Sequence, residues 1–231
     1  MEIEIWSDIG CPFCYIGKRN FEAGLERFES KDEVNVVHKS FRLDPAASTE
    51  PDQNMAELLA KKYGKSLEEA RQMNRQVSRA AEAAGLEFNM DAVVPSNTMD
   101  AHRLIKMAEA EGKDGEALDH LYYAYFTEGR NVARAEVILE IAQTIGMDTT
   151  AVEEMLGSND YKETVISEQN EATRLGAQGV PFFVINRKYG VSGAQPPEAF
   201  LEAIEKAHEE EKPLVDLGGD DGASCGRDGC E

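Results

Sequence analysis

The ten residues IGCPFCYIGK, Ile9 to Lys18, decide how the chain is read. Two cysteines flank Pro12 and Phe13, and helix-like spacing follows: Tyr15, Ile16, Phe21, Leu25 and Phe28 recur on one face. Before them Ile3, Ile5 and Trp6 form a short apolar strand. After them Val34, Val36, Val37 and Phe41 form a second, ending at Asp44-Pro45. The pattern is β-α-β with the cysteine pair at the turn into the helix. Three readings of Cys11 and Cys14 compete: a redox pair, half of a metal site, or two core sulfurs.

Position favours redox chemistry. The first backbone N–H groups of a helix lack internal partners, and the helix dipole favours an anion there. Pro12 suits the first helical position, because its missing N–H would be unpaired anyway. The amides of Phe13 and Cys14 are then expected to face the Cys11 sulfur and stabilise its thiolate, which is the nucleophile. A helix terminus offers up to ~2 kcal/mol, enough to bring a thiol from ~8.5 to about 7. Phe13 adds no charge, so the expected shift is moderate. Cys14, one turn on, is expected to be the more buried, resolving sulfur within bridging distance. A zinc half-site would need two more ligands. The only other cysteines lie at the far end, and His38, His102, His120 and His208 are scattered singly.

The rest of the 231 residues sets the frame. That length is enough for a core without disulfide staples. No apolar run approaches a membrane span. A net charge of −20 argues against nucleic-acid binding, which needs a basic surface. The start, MEIEIWSD, reads as a first strand rather than an export signal, so a cytoplasmic location is expected. No cysteine lies between Cys14 and Cys225, which is unlike a disulfide scaffold.

From Thr49 to about Glu171 strand signals vanish. Five helical runs follow, centred on Met55–Leu59, Met73–Ala80, Ala101–Ala108, Leu118–Phe126 and Val137–Ile145. Ser66 with Glu69 makes a capping box, and Gly146 a C-terminal stop. Strands return in GVPFFVINRKYGVSG, as Phe182–Ile185 and Tyr189–Ser192 around a tight turn. Pro196 and Pro197 open a last helix. Residues 209–231 hold eight acidic and two basic side chains with five glycines, the composition of a mobile tail. In it Cys225 and Cys230 would stand ~8–9 Å apart on a helix. That is beyond the ~7 Å limit for a bridge, so pairing would need the turn that Gly226 and Gly229 permit. The pair is read as a possible second redox pair, a soft-metal clip, or incidental tail thiols.

With these motifs in place, IEIWSDIGCPFCYIGK and GAQGVPFFVIN give a resemblance covering roughly residues 1–208. The chain resembles the DsbA-type thioredoxin-fold thiol–disulfide oxidoreductases, most closely the cytoplasmic FrnE-like branch. The resemblance implies an α/β thioredoxin-like fold with a large α-helical insertion domain and a flexible C-terminal tail. The expected parts are 1–48 and 172–212 for the thioredoxin-like domain, 49–171 for the insertion, and 213–231 for the acidic tail. It also implies that Val180-Pro181 is a cis peptide beside the cysteines, where local preference alone favours trans. The Val180 backbone would then pair with an extended substrate.

The expected function is protein thiol–disulfide exchange at Cys11 and Cys14, supported by Pro12, Phe13, Val180 and Pro181. No cofactor or metal is expected. The expected partners are protein or peptide disulfides and a cellular thiol such as glutathione or thioredoxin, with no nucleic acid and no membrane. Pro-Phe replaces the histidine-containing dipeptide of periplasmic oxidants, so reduction, isomerisation or oxidation under stress is expected instead. A sister group, the glutathione-dependent hydroxychromene-carboxylate isomerases and kappa-class transferases, generally carries serine at the position of Cys11. Such an isomerase is the alternative, and a non-catalytic metal-binding module the third reading. Further candidates are Asp8 and His38 as proton carriers, Tyr122, Tyr123, Tyr125 and Phe126 as a groove wall, and Arg130 with Asn131 as an anion site.

Overall fold

A computed structural model describes residues 1–210 and, beyond them, the backbone of residues 225–226 and 229–230. Strand β1 (Glu2–Ser7) leads into helix α1 (Pro12–Leu25), and β2 (Asn35–Ser40) follows. Seven helices come next: α2 (Met55–Tyr63), α3 (Leu67–Ala83), α4 (Met99–Glu109), α5 (Asp114–Phe126), α6 (Ala135–Thr144), α7 (Thr149–Gly157) and α8 (Lys162–Arg174). The chain then returns to β3 (Phe182–Ile185), β4 (Tyr189–Ser192) and α9 (Pro197–Glu209). The sheet order is β2-β1-β3-β4, with β1 parallel to β2 and antiparallel to β3. This is a thioredoxin-like fold carrying a helical insertion.

Alternation along the strands builds two cores on the two faces of the sheet. Ile3 and Ile5 of β1 and Phe183 and Ile185 of β3 pack with Phe21 of α1 and with Phe200 and Ile204 of α9. Trp6, Phe182 and Val184 point the other way, against Ala172 of α8. A third and larger cluster fills the helical insertion. It reaches into the thioredoxin-like part through Ile9, Cys11, Cys14, Tyr15 and Ile16. The cysteine pair therefore sits at the seam between sheet and insertion.

Two glycines let α1 approach its neighbours closely. A Cβ on Gly17 would lie 2.9 Å from Cγ of Pro181, and one on Gly24 would lie 2.6 Å from the carbonyl oxygen of Pro197. Both distances are closer than a side chain tolerates. The first contact brings the Pro181 loop against the helix that carries the cysteines. The second seats α9.

A buried ionic group ties the insertion to the sheet. Lys106 Nζ of α4 donates to Glu168 of α8 at 2.9 Å and to the carbonyl of His38 in β2 at 2.7 Å. Glu168 also accepts from the Ser40 amide at 2.7 Å.

The sequence yields five helical runs between β2 and β3, and the structure has seven. In α8 only Val165, Glu168 and Ala172 are buried, so the helix carries almost no apolar period. The capping box at Ser66 is present, and a second one closes the start of α2, between Asn54 and Glu57. Among the described residues, no helix is long and apolar enough to cross a membrane. The expected mobile tail lies outside the described residues. Within it, the backbone at Cys225–Gly226 pairs antiparallel with Gly229–Cys230, which sets Cys225 opposite Cys230. The backbone register thus makes the two residues strand partners.

Candidate functional site

Cys11 is the N-cap of α1, with extended backbone (φ −101°, ψ 110°), and Pro12 takes the first helical position. Cys14 follows one turn later. Both are free thiols; Cys11 is 4% exposed and Cys14 1%. The side chain of Cys11 is the neighbour that most affects the Cys14 thiol. Burial, and after it that neighbour, push the Cys14 thiol well up. This matches the expected split between an outer and an inner sulfur.

The expected amide cradle around Cys11 is not formed. The Cys14 amide donates to the Cys11 carbonyl at 3.0 Å, and no first-turn amide caps the Cys11 side chain. The sulfur turns instead toward the Pro181 loop, where its S–H donates to the carbonyl of Val180 at 3.6 Å. The Val180-Pro181 peptide is cis.

Cys11 opens into a cavity of about 860 Å³, and Cys14 does not line it. One wall is the site itself: Pro12, Phe13, Val180 and the segment around Leu43. The opposite wall comes from the insertion, chiefly Met55, Leu58 and Leu59 of α2, Met73 and Val77 of α3, and Tyr125 of α5. Phe13 is 46% exposed, and Leu43 and Tyr63 stand out beside it at the mouth. The surface offered to a substrate is thus largely apolar, with methionines that adapt to varied shapes.

Asp8 is buried at the cavity floor. Its carboxylate accepts from the amides of Leu43 at 2.7 Å and Gly10 at 3.3 Å, and lies 3.4 Å from Nε2 of His102. Burial pushes the carboxyl up, but the bond and charge of His102, with the Leu43 amide and the Thr98 hydroxyl, outweigh it and hold Asp8 below its usual range. Its partner is therefore His102. The other proposed proton carrier, His38, is placed elsewhere, with Nδ1 2.7 Å from Asp114 and no part in the cavity wall.

The remaining candidates divide. Tyr122 and Phe126 are core, Tyr123 is exposed, and only Tyr125 of the four reaches the cavity. Arg130 is paired with Glu128 and Glu140, and the Asn131 amide donates to the carbonyl of Thr49, so their groups are engaged within the fold. Among the residues given no role in the sequence are the cavity residues Asn74 and Ser96, and His102, which partners Asp8. Each sits among other polar residues, with Arg75, Asn97 and Arg103 next to them, and carries no motif. Among the described residues, no group of three or more His, Cys, Asp or Glu side chains is arranged to hold a metal ion.

Residues 2–205 match the DsbA-like thioredoxin domain. The chain belongs to that family. The solved structure of a "probable DsbA oxidoreductase" from Streptomyces coelicolor is 40% identical, with a TM-score of 0.88 over 100% of this chain and 98% of that one. The cytosolic disulfide reductase DsbM from Pseudomonas aeruginosa, solved with GSH, is 19% identical, with a TM-score of 0.64 over 90% of this chain and 100% of that one. A 2-hydroxychromene-2-carboxylate isomerase is 18% identical, with a TM-score of 0.64 over 91% and 95% of the two chains. At those lower identities the likeness is one of fold. Solved structures named for disulfide reduction and for isomerisation share this architecture.

Proposed function

We propose that the protein is a thiol–disulfide oxidoreductase whose working groups are Cys11 and Cys14. The observation that carries this reading is the asymmetry of the pair. Both sulfurs are free and stand one helical turn apart, yet only Cys11 faces a cavity large enough for a peptide segment. In the proposed reaction the Cys11 thiolate attacks one sulfur of a substrate disulfide. A Cys11–substrate disulfide forms, and the other substrate sulfur leaves as a thiolate and takes up a proton. Cys14 then loses its proton and attacks Cys11 Sγ, which closes the Cys11–Cys14 disulfide and releases the second substrate thiol. Two equivalents of a cellular thiol such as glutathione return the pair to the dithiol.

Pro12, Phe13, Val180 and Pro181 shape the approach. The carbonyl of Val180 fixes the resting Cys11 thiol, and its backbone is placed to pair with an extended substrate chain. The preferred direction is reduction or isomerisation in a cytoplasmic setting, where glutathione and thioredoxin keep thiols reduced. The Cys225/Cys230 pair, made strand partners by its backbone register, is proposed as a secondary dithiol.

A second reading, a glutathione-dependent small-molecule isomerase, is favoured by one observation: the apolar cavity is also of a size that encloses a small ligand. The Cys14→Ser variant separates the two. A lasting mixed disulfide between Cys11 and a protein or peptide supports the oxidoreductase. Turnover of a glutathione-dependent small molecule without any such adduct supports the isomerase.

A further inference from the structure

Helices α2 and α3 make most of the cavity wall that faces the cysteines, yet little fastens them to the rest of the protein. α2 buries Met55 and Ala56, and α3 buries Ala70, Asn74 and Ala81, whereas α4 and α5 bury seven residues each. Among the described residues, the side-chain hydrogen bonds and ion pairs of residues 54–86 close within that segment: Asn54 with Glu57, Ser66 and Lys65 with Glu69, and Glu68 with Arg75. The chain on either side is anchored. Asn97 and Asn131 donate to the carbonyls of Ala47 and Thr49, and Arg134 pairs with Glu50. Past α3, Phe88 stacks on Tyr15 and Phe126, and the Asn89 amide donates to the Phe126 carbonyl at 2.8 Å. Between these anchors the helical hairpin turns at Gly64 and ends at Gly85, both in the left-handed region.

Two burials sit badly with a fixed wall. Cys11 is 4% exposed, although it is the sulfur that has to meet a substrate. Asn74 lies on the inner stripe of α3 with Ala70, Val77 and Ala81, is 2% exposed, and has no hydrogen-bond partner at Nδ2 or Oδ1. A buried polar group without a partner loses its hydration with no return, so the seated hairpin is held less firmly than its apolar contacts alone would hold it. Lifting α3 gives water back to Asn74. We propose that the α2–α3 hairpin is a lid, which swings off the cavity as a unit to admit a disulfide carried on a flexible, apolar polypeptide; while it is seated, Cys11 is open to small disulfides alone. This rests on the thiol–disulfide reading and deepens it by assigning the substrate class. Few buried contacts and no polar ties mark the low-stability end of a fold, from which lids are drawn. Lifting exposes Met55, Leu58, Leu59 and Met73 and joins them to Phe13 and Leu43, already exposed at the mouth. The result is an adaptable apolar surface that suits an unfolded segment.

The test alkylates the full-length dithiol protein with iodoacetamide and with the same group carried on a bulky polyethylene glycol, each rate divided by that reagent's rate on the unfolded protein. In the wild type the bulky reagent is expected to modify Cys11 about ten-fold more slowly than the small one, because it waits for the lid to lift. Asn74→Leu removes the hydration gained on lifting, so it should widen that gap about ten-fold further. Lifting is read separately with Ala70→Cys, on the inner stripe of α3, against Ala108→Cys on α4; both positions are 0% exposed. With the contribution of global unfolding subtracted, iodoacetamide should modify the thiol at position 70 at least about ten-fold faster than the one at 108. Equal normalised rates of the two reagents at Cys11, a gap unchanged in Asn74→Leu, or equal labelling at positions 70 and 108 would each overturn the proposal. Alkylation needs no disulfide exchange, so the lid is read independently of redox chemistry. A protein that meets all three expectations but never exchanges with peptide disulfides would count against the oxidoreductase reading alone.

Discussion

The Cys11 thiol lies 3.6 Å from the carbonyl oxygen of Val180, a residue 169 positions away in the chain. That contact aligns the outer sulfur with the loop expected to hold a substrate backbone, and it leaves Cys14 behind. Within the Cys11–Cys14 pair, native protein treated with iodoacetamide at pH 7–8 should therefore take one equivalent, at Cys11, before any reaction at Cys14. Burial keeps the Cys14 thiol protonated well above the usual cysteine range, so its modification should require unfolding. Peptide mapping by mass spectrometry distinguishes the two sites. Equal labelling of both cysteines in the native state would contradict the assignment of outer and inner sulfurs.

Asp8 predicts an acid limb in stability. Its folded-state pKa is held below the usual value, so it binds fewer protons folded than unfolded in the interval between. The stabilisation is complete above the unfolded value of ~3.9 and disappears as the pH falls through the lower, folded value. Asp8→Asn should destabilise the protein at pH 6–7, and the gap from wild type should narrow below about pH 4. Urea midpoints measured across that range give the comparison. A gap independent of pH would mean that Asp8 acts through packing alone.

Lys106 joins α4 to both α8 and β2. Removing one member of a buried ion pair costs about 3–5 kcal/mol, because the other charge is left without a partner. Lys106→Met should show a loss of that order by denaturant unfolding at pH 7. Restoring the balance with Lys106→Met/Glu168→Gln should recover part of it. A single variant as stable as wild type would show that Lys39, 3.9 Å from Glu168, already suffices.

Gly24→Ala sets two effects against each other. Alanine favours a helix by about 1 kcal/mol. The new Cβ would meet the carbonyl oxygen of Pro197 at 2.6 Å, and a backbone atom cannot swing aside. Overpacking costs about 1–3 kcal/mol, so a net loss of up to about 2 kcal/mol is expected. Gly157→Ala, at the end of α7 with nothing within 4 Å of the added Cβ, is the control and should be neutral or stabilising. Thermal denaturation of the two variants side by side decides it.

What the sequence disclosed follows from which signals are local. Phe182–Ile185 is a short apolar run buried throughout, Tyr189–Ser192 alternates in burial, and both are bounded by turn residues, so both strands were legible residue for residue. The helix start at Pro12 was legible for the same reason. Helix α8 was not, because its most consequential inward residue is an acid, Glu168, whose partner Lys106 lies 62 residues away. Asn74, Ser96 and His102 read as ordinary polar positions until the fold closes over them. The orientation of the Cys11 sulfur was misjudged for a related reason: its competing partner, the Val180 carbonyl, is remote in sequence. The cis bond at Pro181 came from resemblance and ran against local preference.

The cavity has one face from the thioredoxin-like sheet region and another from α2, α3 and α5. Under the proposed function, chemistry and much of the selectivity are encoded in separate stretches of one polypeptide. Evolution can redraft residues 55–83 to admit new clients while the sulfur machinery at 11–14 stays as it is. Exchange of that segment between relatives is the natural way to move client choice from one protein to another.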